Sequence, residues 1–198
     1  MTDQNPTVQH LAPQDYQTKP WKNGKGQTHD ICLMPEGADH SNFDLRFALS
    51  PIVEEAKFSS FSGADRVINV IEGDALELTF DDETVRLEKY DSHRFDTGLS
   101  PVGNPLNGPI RVINVMARRG VWDIVSCEIQ SELNRSCSDN DLLFIYAISG
   151  NSSVILDGKG TRLCASESLM VSGSTDVSIS SDGLFLVSHL THELDDDD

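Results

Sequence analysis

The feature that most constrains this chain is a succession of short apolar runs cut by turn residues. No window of a dozen residues keeps a 3.6-residue apolar period. "FDLRFALS" sets Phe43, Leu45, Phe47 and Leu49 against Asp44, Arg46, Ala48 and Ser50, a period of two that predicts a strand with one covered face. "RVINVIEG" is apolar at nearly every position and predicts a strand covered on both faces. "ALELTF" alternates again, "DDET" is a turn, and "TVRLEKY" returns as its hairpin partner. Further on come "IRVINVMA", "VWDIVSCEI", "LLFIYAISG", "SSVILDG", "ESLMVSG" and "LFLVSHL". Strands in this number bury their apolar faces by packing sheet on sheet or by closing a sheet on itself, so the expected class is all-β.

An internal echo sharpens that expectation. "VINVIEGDALELTF" followed by "VRLEKYDSHRFDTG" is matched some 75 to 77 positions later by "FIYAISGNSSVIL" followed by "TRLCASESLMVSG". A repeat at that spacing points to two similar β-barrel halves, since solenoid periods are shorter; the plainer alternative is that any two stretches of short strands look alike. The 198 residues suit one large domain or two small halves. The turn-rich "SPVGNPLNGPI" places the break, giving an N-terminal half over 1–102 and a C-terminal half over 103–198 that ends in the acidic tail "HELDDDD".

The formal net charge of −17 disfavours nucleic acid and anionic lipid as partners. "MTDQNPTVQH" has no basic start followed by an apolar run, and no stretch is long and apolar enough to span a membrane. The expected location is the cytoplasm. Cys32, Cys127, Cys137 and Cys164 form no C-x-x-C pair and are expected as buried free thiols. "NGKG" lacks the spacing of a phosphate-binding loop, and there is no G-x-S-x-G. No H-x-H occurs among the six histidines, so neither a metal nor another cofactor is expected, and the histidines are expected at the surface.

What remains is a group of hydrogen-bonding, aromatic and cationic residues near strand starts: Trp21, Asn23, Thr28, Arg46, Phe58, Ser59 and Arg66. Arginines on strands that also carry core residues must find acceptors, because a buried unpaired charge is costly. Two acceptors are open: an Asp or Glu of the chain, or a ligand carboxylate held bidentately. Trp and Phe would supply an apolar wall and Asn an orienting amide.

The stretch from Tyr16 to Thr28, "YQTKPWKNGKGQT", continued by Asp30-Ile31, resembles the signature W-[KR]-N-G-G-G-x-T-x-E-I of the HutD/Ves family. "FDLRFALSPI" resembles the family's W-R-x-S-x-A strand, "KFSSFSGADRVINVIEG" its G-P-F-S-x-F-P-G-x-D-R-x-x-x-x-L-E-G segment, and "VINVMARRG" its D-x-N-x-M-x-R stretch. These motifs span the chain up to about Gly120; the later part agrees in its strand-rich pattern. Lys25 stands for the middle Gly of the triple, Leu45 and Ala48 for Trp and Ser around Arg46, Ala56 for the Gly before Phe58, and Val112 for the Asp before Asn114.

The resemblance implies a bicupin, two cupin-like barrels in one chain, in a bacterial cytoplasm and linked to histidine utilisation or stress response. It carries no established reaction. It implies a metal-free binder of a small anionic metabolite, such as urocanate or a formylated or formimino glutamate, acting as a sensor or regulator. Trp21, Asn23, Thr28, Arg46, Phe58, Ser59 and Arg66 carry over as ligand-binding positions and no residue as catalytic; Asn114 and Arg118 follow as secondary positions. The alternatives are a metal-independent isomerase or hydrolase on the same substrate class and an interaction module with a vestigial pocket.

Overall fold

The computed structural model describes residues 6–20 and 27–193. In chain order the strands are β1 (Thr7–Leu11), β2 (Gln17–Pro20), β3 (Gln27–Met34), β4 (Leu45–Ile52), β5 (Ala56–Lys57), β6 (Ala64–Glu72), β7 (Ala75–Thr79), β8 (Thr84–Glu88) and β9 (Ser92–Asp96). They continue as β10 (Val102–Leu106), β11 (Ile110–Arg118), β12 (Trp122–Cys137), β13 (Asp141–Ala147), β14 (Asn151–Leu156), β15 (Lys159–Cys164), β16 (Ser168–Ser172) and β17 (Thr175–His192). Two single 3-10 turns, Pro13–Asp15 and Thr97–Leu99, are the only helical pieces among the described residues. The all-β class follows, as the period-two patterning predicts. Among the described residues no helix is long and apolar enough to cross a membrane.

The chain divides into two compact units. One is Tyr16–Gly120; the other joins the chain up to Asp15 with everything from Val121. The expected break at 102/103 falls inside β10 instead. The reason is pairing: β10 lies between β5 and β7, and β11 lies between β4 and β6, so both complete sheets of the first unit. Of "NPLNGPI", only Asn107 and Gly108, at φ 59° and 123°, make the turn; Asn104 to Leu106 are strand.

The Tyr16–Gly120 unit has two sheets, ordered β2-β3-β4-β11-β6-β9 and β5-β10-β7-β8. Both contribute to one apolar cluster, with Ile68 and Val70 from β6, Val112 from β11, and Leu76 and Leu78 from β7. The predicted "ALELT"/"TVRLE" hairpin is present, with Thr79 opposite Thr84. Gly73 begins this arm at φ 95°, and a Cβ there would meet Pro109 O at 2.8 Å, so only glycine fits.

The other unit is one seven-stranded sheet, β1-β16-β13-β17-β14-β15, with β12 paired along β17. Its pairing order repeats part of the first, with no counterpart there to β1 and none here to β2 and β3. The β6–β9 pair and the β7–β8 hairpin correspond to β13–β16 and β14–β15. The 18-residue β17 pairs with β13 and β14, as β11 pairs with β6 and β10 with β7. These correspondences follow the sequence echo strand for strand.

Candidate functional site

Along three adjacent strands of the first unit the inward face changes character. On β6 the alternate residues are Arg66, Ile68 and Val70; on β11 they are Met116, Asn114 and Val112; on β4 they are Arg46, Ala48 and Ser50. Met116 stands opposite Arg46 on one side and Arg66 on the other, so the two arginines flank it at one level of the sheet. Asn114 follows, between Ala48 and Ile68, and then Val112, between Ser50 and Val70. One end of this surface packs into the apolar cluster. The other opens into a cavity of about 410 Å³.

The two arginines, each nearly fully buried, have different surroundings. Arg46 is committed to Asp30 on β3. Its Nε donates to Asp30 Oδ1 at 2.8 Å, and a terminal nitrogen lies 2.7 Å from the same oxygen. The other oxygen, Oδ2, is met by His40 Nε2 at 2.7 Å and by Lys19 Nζ at 3.7 Å. Burial alone would raise the Asp30 carboxyl; the His40 hydrogen bond and the Arg46 charge outweigh it and hold the carboxyl below its ordinary value. Arg46 and Asp30 are therefore an ion pair without net charge.

Arg66 has no carboxylate partner among the described residues. One terminal nitrogen donates to Ser59 O at 3.1 Å, and its buried Nε has no acceptor. The guanidinium lies over Phe58, Phe61 and Phe95, 5.3, 5.8 and 5.4 Å from their ring centres. Such cation–π contacts offset part of the desolvation, about 0.5–2 kcal/mol each, but supply no hydrogen-bond acceptor. Burial first, and the neighbouring Arg46 charge second, push the Arg66 guanidinium down to about 9, which leaves it cationic at neutral pH.

The aromatic wall is fastened from behind. Thr97 Oγ1 donates to Phe61 O and, at 2.9 Å, to Ala64 O; Ser100 Oγ donates to Phe58 O; Phe58 N donates to Pro101 O at 2.9 Å. A Cβ on Gly103 would come within 3.1 Å of the Phe58 ring, so that glycine leaves the ring its place. Phe61 also meets Arg46 (5.3 Å to the guanidinium carbon) and the His40 ring edge-on. The neutral side of the cavity carries Asn114, whose Oδ1 is buried without a partner, and the Thr28–Ser50 hydroxyl pair at 3.2 Å.

Of the residues expected from sequence, Thr28, Arg46, Phe58, Ser59 and Arg66 line this one cavity. Trp21, Asn23 and Lys25 lie outside the described residues. Asn114 joins the cavity. Arg118 does not: it donates to Phe43 O and Asp44 Oδ1 and fastens a loop. Sequence reasoning passed over Asp30 as a site residue, although the motif marks its position, and over Phe61 and His40. The expectation of surface histidines fails for His189, whose side chain is 18% exposed beside Asp141, and in part for His40, which a buried carboxylate holds at the cavity. The four cysteines are free, but only Cys137 is buried; Cys32 and Cys127 are half-buried and Cys164 is exposed.

A family model described as HutD matches residues 13–186. An uncharacterized 21.2 kDa protein in the hutC 3' region of Pseudomonas putida is 38% identical over 112 residues, 55% of this chain and 57% of that protein. Protein Ves of Citrobacter koseri is 36% identical over 58 residues, 29% of each chain. The aligned parts thus span little more than half, or less, of these relatives. Among solved structures, a conserved protein of unknown function from Pseudomonas aeruginosa PAO1 superposes with a TM-score of 0.84 at 23% identity, covering 95% of this chain and 100% of the other. HutD from Pseudomonas fluorescens SBW25 superposes with a TM-score of 0.78 at 26% identity, covering 94% and 99%.

The fold also matches cupin-like proteins, among them the bacterial pirin YhhW of Escherichia coli in complex with nickel(II), with a TM-score of 0.67 at 11% identity over 93% and 98%. The donor set here does not suit such an ion. Among the described residues no three His, Cys, Asp or Glu side chains gather to hold one, and His40, which lines the cavity, is engaged with the buried Asp30 that also holds Arg46. The motifs around Arg46 and Arg66, the whole-chain superposition and the family match agree: this chain belongs to the HutD family.

Proposed function

We propose that this chain is a cytoplasmic bicupin that binds a small carboxylate metabolite in its Tyr16–Gly120 unit and serves as a sensor or regulator of histidine utilisation. The two-barrel reading is supported by the partial repeat of pairing between the units. The link to histidine utilisation is supported by the family and by the relative described as lying in a hutC 3' region.

One observation carries the ligand class: Arg66 is a buried cation, walled by three rings, with an orphaned Nε and no acid among the described residues to meet it. A guanidinium in that position is a fork waiting for a planar anion. A carboxylate placed on it would satisfy the orphan donor and neutralise the buried charge. The long-range repulsion of a chain at −17 is overcome only locally, within about a Debye length of 8–10 Å, and Arg66 supplies that reversal of sign. A metal-independent enzyme is the second reading, favoured by His40, a potential proton carrier held by Asp30 at the cavity.

Isothermal calorimetry against acetate, urocanate and N-formylglutamate tests the binding reading. Wild type is expected to bind at least one, and Arg66→Gln to lose about ten- to a hundredfold, the share of a charge-assisted hydrogen bond. Equal binding by both proteins would remove Arg66 from the site. Turnover of the bound compound by wild type, lost in His40→Gln, would favour the enzyme.

A further inference from the structure

The cavity holds two arginines, but their charges are not equally available. Arg46 spends its Nε and a terminal nitrogen on Asp30, which lies at 1% exposure with His40 and Lys19 on its second oxygen. Lys19 and Lys57 are the other lysines lining the cavity; Lys19 already lies against Asp30 and Lys57 is exposed, and a solvated lysine adds little to an ion pair. Only Arg66 offers a buried positive charge without a counter-ion. We infer that Asp30 sets the ligand class of this site: by holding Arg46 it leaves a single anion position, so the cavity selects a compound with one carboxylate over one with two. The inference rests on the carboxylate-binding reading above and narrows it.

The geometry says what a second carboxylate would meet. With the first on Arg66, the body of the ligand runs along Met116 and Phe61 toward Arg46, Asn114 and the Thr28–Ser50 pair. There it would find neutral amide and hydroxyl groups, and the charge of Asp30, which Arg46 and the partly exposed Lys19 already meet. A buried carboxylate without a cation is costly, and like charges close together add to that cost. A neutral tail able to hydrogen-bond suits the same place, because Asn114 Oδ1 is buried there without a partner.

Asp30 is thus a positioning residue acting through Arg46, and its removal should do more than loosen the fold. Both guanidinium carbons lie within 5.8 Å of the centre of the Phe61 ring, close enough for a short dicarboxylate to bridge them. Freed of Asp30, Arg46 becomes a second anion position.

The test uses pairs of probes that differ only in the second charge: glutarate and its monomethyl ester, and terephthalate and its monomethyl ester, titrated by calorimetry at neutral pH. Wild type is expected to prefer each half-ester over its diacid by at least about tenfold. Asp30→Asn should raise the diacid relative to the half-ester by at least about tenfold. Asp30→Glu should keep the wild-type ratio, and Asp30→Asn with Arg46→Gln should restore it, since no second cation remains. A wild-type ratio near one, or an unchanged ratio in a folded Asp30→Asn variant, overturns the inference while leaving carboxylate binding intact. Absence of binding for every probe and for the carboxylates titrated above overturns both. Should Asp30→Asn fail to fold, the wild-type ratio alone decides.

Discussion

The two units share part of one pairing order and fill it differently. In the C-terminal unit the inward residues of β13, β16 and β17 are Leu143, Ile145, Ala147, Leu169, Val171, Phe185 and Val187, joined in one apolar core. In the Tyr16–Gly120 unit the corresponding β6 and β9 carry Ile68, Val70 and Phe95 into a core, but β6 also carries Arg66 on that face, and β11 and β4 bring Asn114, Met116, Arg46 and Ser50 beside it. Filling the interior with apolar side chains gives stability and closes the site; placing two arginines and an amide there gives up packing and leaves room. A shared strand arrangement therefore does not imply a shared role, and the polar cavity described above is lined by residues of one unit.

The sharpest way to test that division is to disturb each interior separately. Phe185→Ala, in the filled unit, should cost about 3–5 kcal/mol in denaturant unfolding through lost burial and an unfilled cavity, and the surviving folded protein should bind carboxylate as before. Loss of binding at constant fold would break the comparison.

Arg66→Met is the converse and the next in size. Carboxylate affinity should fall about ten- to a hundredfold, while stability should hold or rise, because a buried cation without a carboxylate partner is replaced by an apolar side chain of similar length. A variant that unfolds instead would show Arg66 to be a structural residue.

Each unit also anchors an acid that burial alone would make costly. Asp141 accepts from Ser138 N at 2.7 Å, Ser138 Oγ at 2.8 Å and Thr191 Oγ1 at 2.8 Å, with His189 Nε2 2.9 Å away. Burial would raise its carboxyl; these partners hold it well below the ordinary value, as His40 and Arg46 do for Asp30. A depressed carboxyl contributes stability that is fully present above its unfolded value near 3.8 and is lost as pH falls through its folded value. Unfolding free energy should therefore drop below about pH 4. Asp141→Asn should cost about 1–2 kcal/mol at neutral pH and flatten that acid slope. Because Asp30 has no part in the C-terminal unit, the slope left in this variant measures the share of the other acids. An unchanged slope would remove Asp141 from the comparison.

The smallest effect is at alkaline pH. The anion needs the charged guanidinium, and burial lowers Arg66 to about 9. Affinity should stay level from about pH 6 to 8 and weaken above about 9, up to tenfold per unit. Stability has the opposite sign: the buried charge is unfavourable below about 9, and its cost fades as pH rises further. Affinity that stays level beyond pH 10 would show a cation whose charge the cavity does not weaken.

The sequence by itself determined the all-β class, the β7–β8 hairpin, the echo between halves and the motifs that mark Thr28, Arg46, Phe58, Ser59 and Arg66. These are local signals: alternation, turn residues and short spacings survive in a linear string. The limits of the units were not legible. "NPLNGPI" looks like a linker, yet Asn104 to Leu106 complete a ladder with β7, and β1 pairs with β16 from the far end of the chain. Strand pairing is decided by which edges are open after collapse, not by what adjoins them in sequence.

The fate of the two arginines was undetermined in the same way. Each could have met an acid of the chain or an acid from outside, and nothing in "FDLRFALS" or "ADRVINV" distinguishes them. The register of β3 against β4 brings Asp30 beside Arg46, with Ala48 opposite Asp30. On the other flank of Met116, the segment from Phe58 to Phe61 covers Arg66 with rings and one carbonyl, and no carboxylate of the described residues reaches it. Both arginines are written into the strands; which of them keeps a free charge was decided only by tertiary structure, because a counter-ion in a buried site is a matter of a few ångströms across strands rather than of neighbours along the chain.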